Sequence, residues 1–337
     1  MSMVLCRAPF RISFFGGGSD YPVWYLSEGG AVLSTSIDKY IYITCRYLPP
    51  YLGTKHRVVW RYVEQVDAIS EILHPAVRAG LRYLQFDDRL GIEMHYQGDL
   101  PSRAGMGSSS TFVVAMLHAL TAMRGVDADH QRLAEMAIEL EQVQMKETVG
   151  SQDQVAAAFG GLNVINFRQD GRFDVNPIVL PVQRQREFVG RLMLFFPGKS
   201  RFASEIASSV TANLHARGNS VRRMIQMVHE GAEILRYGDL DDFGRMLHEA
   251  WELKRSLSDQ VSSDEIDEIY ACARRAGAIG GKLLGAGGTG FILFYVPPDK
   301  RDDVLAALSP KCINVPFDLD HDGACVIYRA DGGLTVQ

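Results

Sequence analysis

Short runs of β-branched and aromatic residues, bounded by glycine, proline or polar clusters, fill the first hundred residues of the chain. They predict strands over Val4–Cys6, Arg11–Phe15, Tyr40–Tyr47, Arg57–Val63 and Ile92–Tyr96. The period then changes. FVVAMLHALTAM predicts a helix from Ser109 to about Met123, and Leu133, Met136, Ala137, Leu140 and Val143 recur at helical spacing from about Gln131 to Lys146. Strand-like sequence returns at Gly161–Phe167 and Gly190–Phe196. A helical pattern runs from Ala203 to about Ala276, with segments near Ser220–Leu235, Leu240–Leu257 and Ser263–Ala276. The remainder reads strand, glycine-rich turn, strand, helix, strand, strand. Strands and helices do not alternate regularly, which favours an α+β protein over a doubly wound sheet.

At 337 residues the chain exceeds the roughly 250 to 300 at which single cores stop growing, so two domains are expected, 1–185 and 186–337, with one large domain as the alternative. A hydrophobic share of 47% supplies a sizeable core, and a net charge of -5 argues against a nucleic-acid binder. Cys6, Cys45, Cys272, Cys312 and Cys325 are scattered without metal-ligand spacing, so neither a disulfide framework nor a zinc site is expected. The N-terminus lacks the pattern of a signal peptide, and the longest apolar runs are too short to cross a bilayer. A cytoplasmic protein without membrane partners is expected, with oligomeric state open and a homodimer among the options.

Four glycine-containing segments carry candidate chemistry. In PSRAGMGSSST, Gly105, Met106 and Gly107 lead into Ser108, Ser109 and Ser110 and then the apolar helix. Glycines let backbone approach a phosphate, and the helix start adds free N–H groups and a positive dipole end. No lysine follows the glycines, so this is not the commonest phosphate loop, and an ordinary loop with a serine cap stays open. In APFRISFFGGGSDYP, Asp20 can hold two sugar hydroxyls and Arg11 offers a cationic fork, beside the reading of a tight turn with an Asx cap. In ETVGSQDQVAAAFGG, Asp153 stands at a helix start, where a cap competes with the carboxylate that phosphoryl transfer requires. Near the C-terminus GAGGTG matches G-x-G-x-x-G, but a strand-like run comes after it where a dinucleotide fingerprint needs a helix. It reads as a β turn closing over a ligand.

APFRIS with GGGSDY, then PSRAGMGSSS, then KLLGAGGTG resemble, in order, the three signature motifs of the GHMP small-molecule kinases, and the resemblance covers essentially the whole chain. It implies a two-domain fold, with an N-terminal nucleotide-binding α+β domain and a C-terminal ferredoxin-like domain with extra helices. It also implies ATP and Mg2+ as cofactors. Within the family, APFRISFFGGGSDYP and GSQDQVAAAFGG are most similar to heptose kinases. The implied reaction phosphorylates the anomeric hydroxyl of a heptose 7-phosphate, giving a 1,7-bisphosphate for surface polysaccharide. Fucokinase-like enzymes are the runner-up, and a non-catalytic sugar sensor is the alternative of another class.

By position, Asp153 matches the family's catalytic aspartate and Arg11 its basic neighbour. Residues 105 to 110 match the nucleotide loop, with Ser109 and Glu141 implied as magnesium ligands. Helical phase alone does not choose Glu141 over Glu139, which lies about as far round the other side. Gly17, Gly18, Ser19, Asp20, Gly287 and Gly288 match acceptor-side positions. Lys199, Arg201 and Lys254 are the cations expected near a sugar phosphate, against the reading of ordinary surface charge. Galactokinases carry His-Thr-Asp-Tyr at the third glycine's turn, and mevalonate kinases prefer lysine where this chain has Arg11.

Overall fold

Residues 3–198 and 204–330 are described in this computed structural model. The strands are β1 (Met3–Phe15), β2 (Gly30–Leu48), β3 (His56–Val59), β4 (Val63–Val66), β5 (Gly91–Gly98) and β6 (Leu162–Phe167). They continue with β7 (Phe173–Pro177), β8 (Leu192–Phe196), β9 (Gly280–Leu283), β10 (Ile292–Tyr295), β11 (Ile313–Val315) and β12 (Cys325–Arg329). The helices begin α1 (Pro22–Glu28), α2 (Pro75–Tyr83), α3 (Ser108–Met123), α4 (His130–Ile138), α5 (Gln152–Phe159) and α6 (Val182–Val189). After them come α7 (Ser204–Asn213), α8 (Gly218–Tyr237), α9 (Leu240–Arg255), α10 (Asp264–Arg275) and α11 (Arg301–Leu308).

A large sheet runs β12-β1-β2-β5-β3-β4, with β6 joined to β2 and β7 to β6. The length of β2 explains the branch: its first half pairs with β6 and its second half with β5 along one edge, while β1 lies along the other. The smaller antiparallel sheet has the order β11-β8-β10-β9. Helix α3 is buried around its whole circumference from Ser110 to Met123, so it is the central helix of the larger unit. Phe243 of α9 joins the two parts, its ring lying 5.3 Å from Phe14, 4.9 Å from Phe15 and 5.0 Å from Phe188. That aromatic cluster anchors the end of β1, where the cleft begins. None of the described helices is long and apolar enough to cross a membrane.

Several expected elements differ in extent. Val4–Cys6 and Arg11–Phe15 are parts of one strand, because the register of β1 on β2 shifts between Pro9 and Arg11 and accommodates the proline there. The expected strand over residues 57–63 is a hairpin, β3 and β4, turning at Trp60 to Tyr62. The long helix expected to reach Lys146 changes pitch: α4 passes at Glu139 into a π segment ending at Gln144, with Met145 N–H donating to Leu140 O at 2.9 Å. The wider turn rotates the side chains beyond Glu139 about the helix axis. Val143, placed by a constant helical period on the apolar face, is 61% exposed, while Glu141 is fully buried. GAGGTG lies in the connection between β9 and β10, as a strand-to-strand turn.

Candidate active site

The start of α3 is a cradle made by backbone. Gly105 and Gly107 take φ of +80° and +78°, and the first helical bond is Thr111 N–H to Gly107 O. The N–H groups of Ser108, Ser109 and Ser110 therefore precede the helical ladder, and Gly107 contributes no capping side chain. Ser109 is exposed along the cleft, Ser110 is buried, and Ser108 Oγ accepts from Arg103 N–H at 3.0 Å. Met106 is fully buried and contributes through its carbonyl, which accepts from Arg11 N–H.

Arg11, on β1, fastens this cradle to the first turn of α5. Its Nε and Nη2 donate to Asp153 Oδ1 and Oδ2 at 2.7 and 2.8 Å, and Nη1 donates to Gly105 O at 2.8 Å. Planar bidentate pairing fixes the carboxylate in direction as well as position. Asp153 therefore points to the cradle instead of capping its helix, whose N-cap is Ser151. A side chain on Gly107 would stand 3.0 Å from Asp153 Oδ2, so the glycine keeps loop and carboxylate close.

Asp20 lines the same cleft from the glycine turn after β1. Gly18 N–H donates to its Oδ1 at 2.9 Å and Gln152 N–H to its Oδ2 at 3.4 Å. A Cβ on Gly150 would meet Oδ2 at 1.9 Å. Burial, and then the Asp153 charge, push the Asp20 carboxyl up to about 6. In an unfolded chain this group titrates at 3.8. Between those two values the folded chain keeps a proton that the unfolded chain has released, so the contribution of Asp20 to stability falls as pH rises through the window. Urea unfolding at pH 5 and 7.5 tests the sign: wild type is expected to lose stability relative to Asp20→Ala at the higher pH. An identical difference at both pH values would mean that the carboxyl titrates as in an unfolded chain.

The other expected residues divide by place. Gly17, Gly18 and Lys254 line the cleft, which has a volume of about 550 Å3. Ser19 is buried and braces the turn, with Oγ 2.8 Å from Gly16 O and accepting from Ala31 N–H at 3.1 Å. Gly288 N–H is bound to Val261 O and a Cβ on Gly287 would meet Val261 O at 2.7 Å, so these two glycines pack behind the cleft while Gly285 and Ala286 line it. Lys199 and Arg201 lie outside the described residues.

Glu141 stands one layer behind the lining. Its Oε2 accepts from Gln154 Nε2 at 2.5 Å, and its Oε1 has no hydrogen-bond partner among the described residues. Burial pushes its carboxyl up to about 7, against the lowering effects of the neighbouring Ser110 hydroxyl and the Gln154 amide. Among the described residues no cluster of three or more His, Cys, Asp or Glu is placed to hold a metal ion. Magnesium needs no such cage, because it takes one or two carboxylates together with waters and phosphate oxygens. An unpartnered carboxylate oxygen on Glu141 and the open Ser109 hydroxyl are hard donors of the type it requires.

Lys282 belongs to the cleft and was not anticipated. A single charge inside the otherwise apolar run GGKLL, on a strand buried throughout, is the signal that marks it.

Residues 71–161 match the family model described as GHMP kinases N terminal domain, and residues 232–314 match GHMP kinases C terminal. A D-glycero-alpha-D-manno-heptose 7-phosphate kinase of Campylobacter jejuni is 28% identical over 331 residues, covering 91% of this chain and 94% of that protein. A bifunctional fucokinase/GDP-fucose pyrophosphorylase of Arabidopsis thaliana is 26% identical over 307 residues, 85% of this chain but 29% of that longer protein. The fold is similar to a crystal structure titled as a D-glycero-D-manno-heptose 1-phosphate kinase from Bacteroides thetaiotaomicron, with TM-score 0.79, 24% identity and coverage of 97% and 99% of the two chains. A galactose-bound galactokinase of Lactococcus lactis has TM-score 0.74 at 16% identity, with coverage of 96% and 95%.

Proposed function

Because this chain belongs to the GHMP kinases, we propose that it transfers the γ-phosphoryl group of ATP to the anomeric hydroxyl of D-glycero-D-manno-heptose 7-phosphate. The observation that carries the kinase reading is the bidentate Arg11–Asp153 pair, docked on Gly105 of the backbone cradle and facing Asp20 across one cleft. The near full-length similarity to the Campylobacter protein supports the choice of acceptor.

The N–H groups at the start of α3 hold the ATP phosphates. Asp20 accepts hydrogen bonds from acceptor hydroxyls and so turns the anomeric oxygen toward Asp153. Asp153 accepts the hydrogen bond of that hydroxyl and takes its proton late, as the oxygen bonds to phosphorus and ADP leaves. Arg11 holds the carboxylate in this position through its two hydrogen bonds. Ser109 and Glu141 would be the residues to hold magnesium, which would supply neutralising charge to the transferring group. The product is the 1,7-bisphosphate, made in the cytoplasm as a precursor of nucleotide-activated heptose for surface polysaccharide.

The test is ADP release with Mg-ATP against heptose 7-phosphate, mannose, mannose 6-phosphate, fucose, galactose and mevalonate, with phosphorus NMR of the product. Turnover confined to heptose 7-phosphate, with a new anomeric phosphate signal, is expected. Preference for a free sugar would replace the acceptor, and sugar binding without turnover would favour a sensor.

A further inference from the structure

We propose that Lys254 and Lys282 together form a seat for a phosphoryl group in the cleft. Lys282 projects from β9, is 6% exposed, and donates from Nζ to Phe14 O at 2.8 Å. Lys254, in the last turn of α9, donates from Nζ to Leu283 O at 2.8 Å and to Gly285 O at 2.5 Å. Both side chains line the cleft, and neither forms an ion pair with a carboxylate among the described residues. An ammonium has three N–H donors, so one on Lys254 and two on Lys282 remain after these bonds.

Buried charges in native proteins are paired, and backbone carbonyls satisfy donors without cancelling charge. Here two ammonium groups stand close enough to repel each other, with the Arg11 guanidinium adding to the repulsion. Burial and the Arg11 charge pull Lys282 down to about 7, and burial, then the Lys282 and Arg11 charges, pull Lys254 well below the usual lysine range. The missing partner is an anion that reaches both, and a tetrahedral phosphoryl group offers oxygens for the three remaining donors. The reading of both lysines as ties alone, fixing β9 to β1 and the glycine-rich turn to α9, leaves without a reason the placing of two amines beside each other and Arg11, where their charged forms are disfavoured until an anion joins them.

The inference rests on the acceptor binding in this cleft. Two phosphoryl groups meet there under the proposed function: the acceptor's own phosphate and the one in transfer. Lys254→Met and Lys282→Met in the full chain distinguish them, using calorimetry with heptose 7-phosphate and with unphosphorylated heptose, beside steady-state kinetics. For the acceptor's own phosphate, each variant is expected to bind heptose 7-phosphate at least tenfold more weakly, with heptose binding and the KM for ATP unchanged. Loss of kcat at unchanged acceptor affinity would assign the seat to the group in transfer. Folded variants with normal affinity and normal kcat would overturn it. Should a methionine variant not fold, acetylation footprinting of the wild type decides: protection of both lysines by heptose 7-phosphate or by a non-hydrolysable ATP analogue supports the seat, and protection by neither removes it. Absence of any wild-type turnover would instead sink the kinase reading, a separate result.

Discussion

Asp153→Asn is expected to lower kcat by about a hundredfold to ten-thousandfold, the usual contribution of a positioned general base, while leaving the KM for ATP nearly unchanged. Under the proposed function the nucleotide is held by backbone N–H groups at the start of α3, to which Asp153 is tied through Arg11 and Gly105. Asparagine is the better substitution because Arg11 is 4% exposed. Removing the partner of a buried charge altogether costs about 3 to 5 kcal/mol, which would confuse lost catalysis with lost fold. An asparagine carbonyl still accepts one guanidinium hydrogen bond but does not take a proton. Steady-state kinetics with a thermal melt check both points, and near-normal turnover in a folded variant would remove Asp153 from the mechanism.

Gly105→Ala is expected to damage both stability and nucleotide binding. An alanine at φ of +80° costs roughly 1 to 2 kcal/mol through backbone strain. Its Cβ would also stand 2.5 Å from Leu284 O and 2.9 Å from Leu284 C, backbone atoms that cannot rotate away. Overpacking of this kind adds about 1 to 3 kcal/mol. Relief requires the phosphate cradle to separate from the glycine-rich turn, which displaces the Gly105 carbonyl that holds Arg11. We therefore expect a lower Tm and at least a tenfold higher KM for ATP. Gly53→Ala is the control, since Gly53 has φ of +76° with nothing within 4 Å of its Cβ position. Equal loss of stability in the two variants would mean that strain alone acts and that loop contact matters little.

The glycine-rich motifs were legible because backbone geometry and residue type coincide there. Gly105, Gly107 and Gly18 take positive φ, and each lines the cleft. The apolar periods of α3 and β5 were equally clear. What escaped the sequence was anything set by a change of local geometry. A proline inside β1 looked like a strand break until the register shift beside it supplied a place. The first half of β2, where Ser34, Thr35 and Ser36 interrupt the apolar run, carries a weaker strand signal and is held by pairing on both edges. Helical phase left Glu139 and Glu141 equivalent, and the π turn separates them: Glu141 is turned inward, while Glu139 accepts from the Tyr83 hydroxyl at 2.7 Å. Lys282 sits in a strand of only four residues, two of them glycine, which is too short for a period to show the direction of its side chain.

Strand β12 pairs with β1 across more than three hundred residues of sequence, and the segment before it is bonded to the same sheet through Asp320 N–H to Ser36 O and the Arg7–Asp322 ion pair. Strand β1 also carries Arg11. During synthesis, then, the outer edge of β1 stays unpaired until residues 325–329 have left the ribosome. A ribosome-bound or truncated chain ending before residue 318 exposes that edge to any neighbouring strand, including the same edge of another nascent copy.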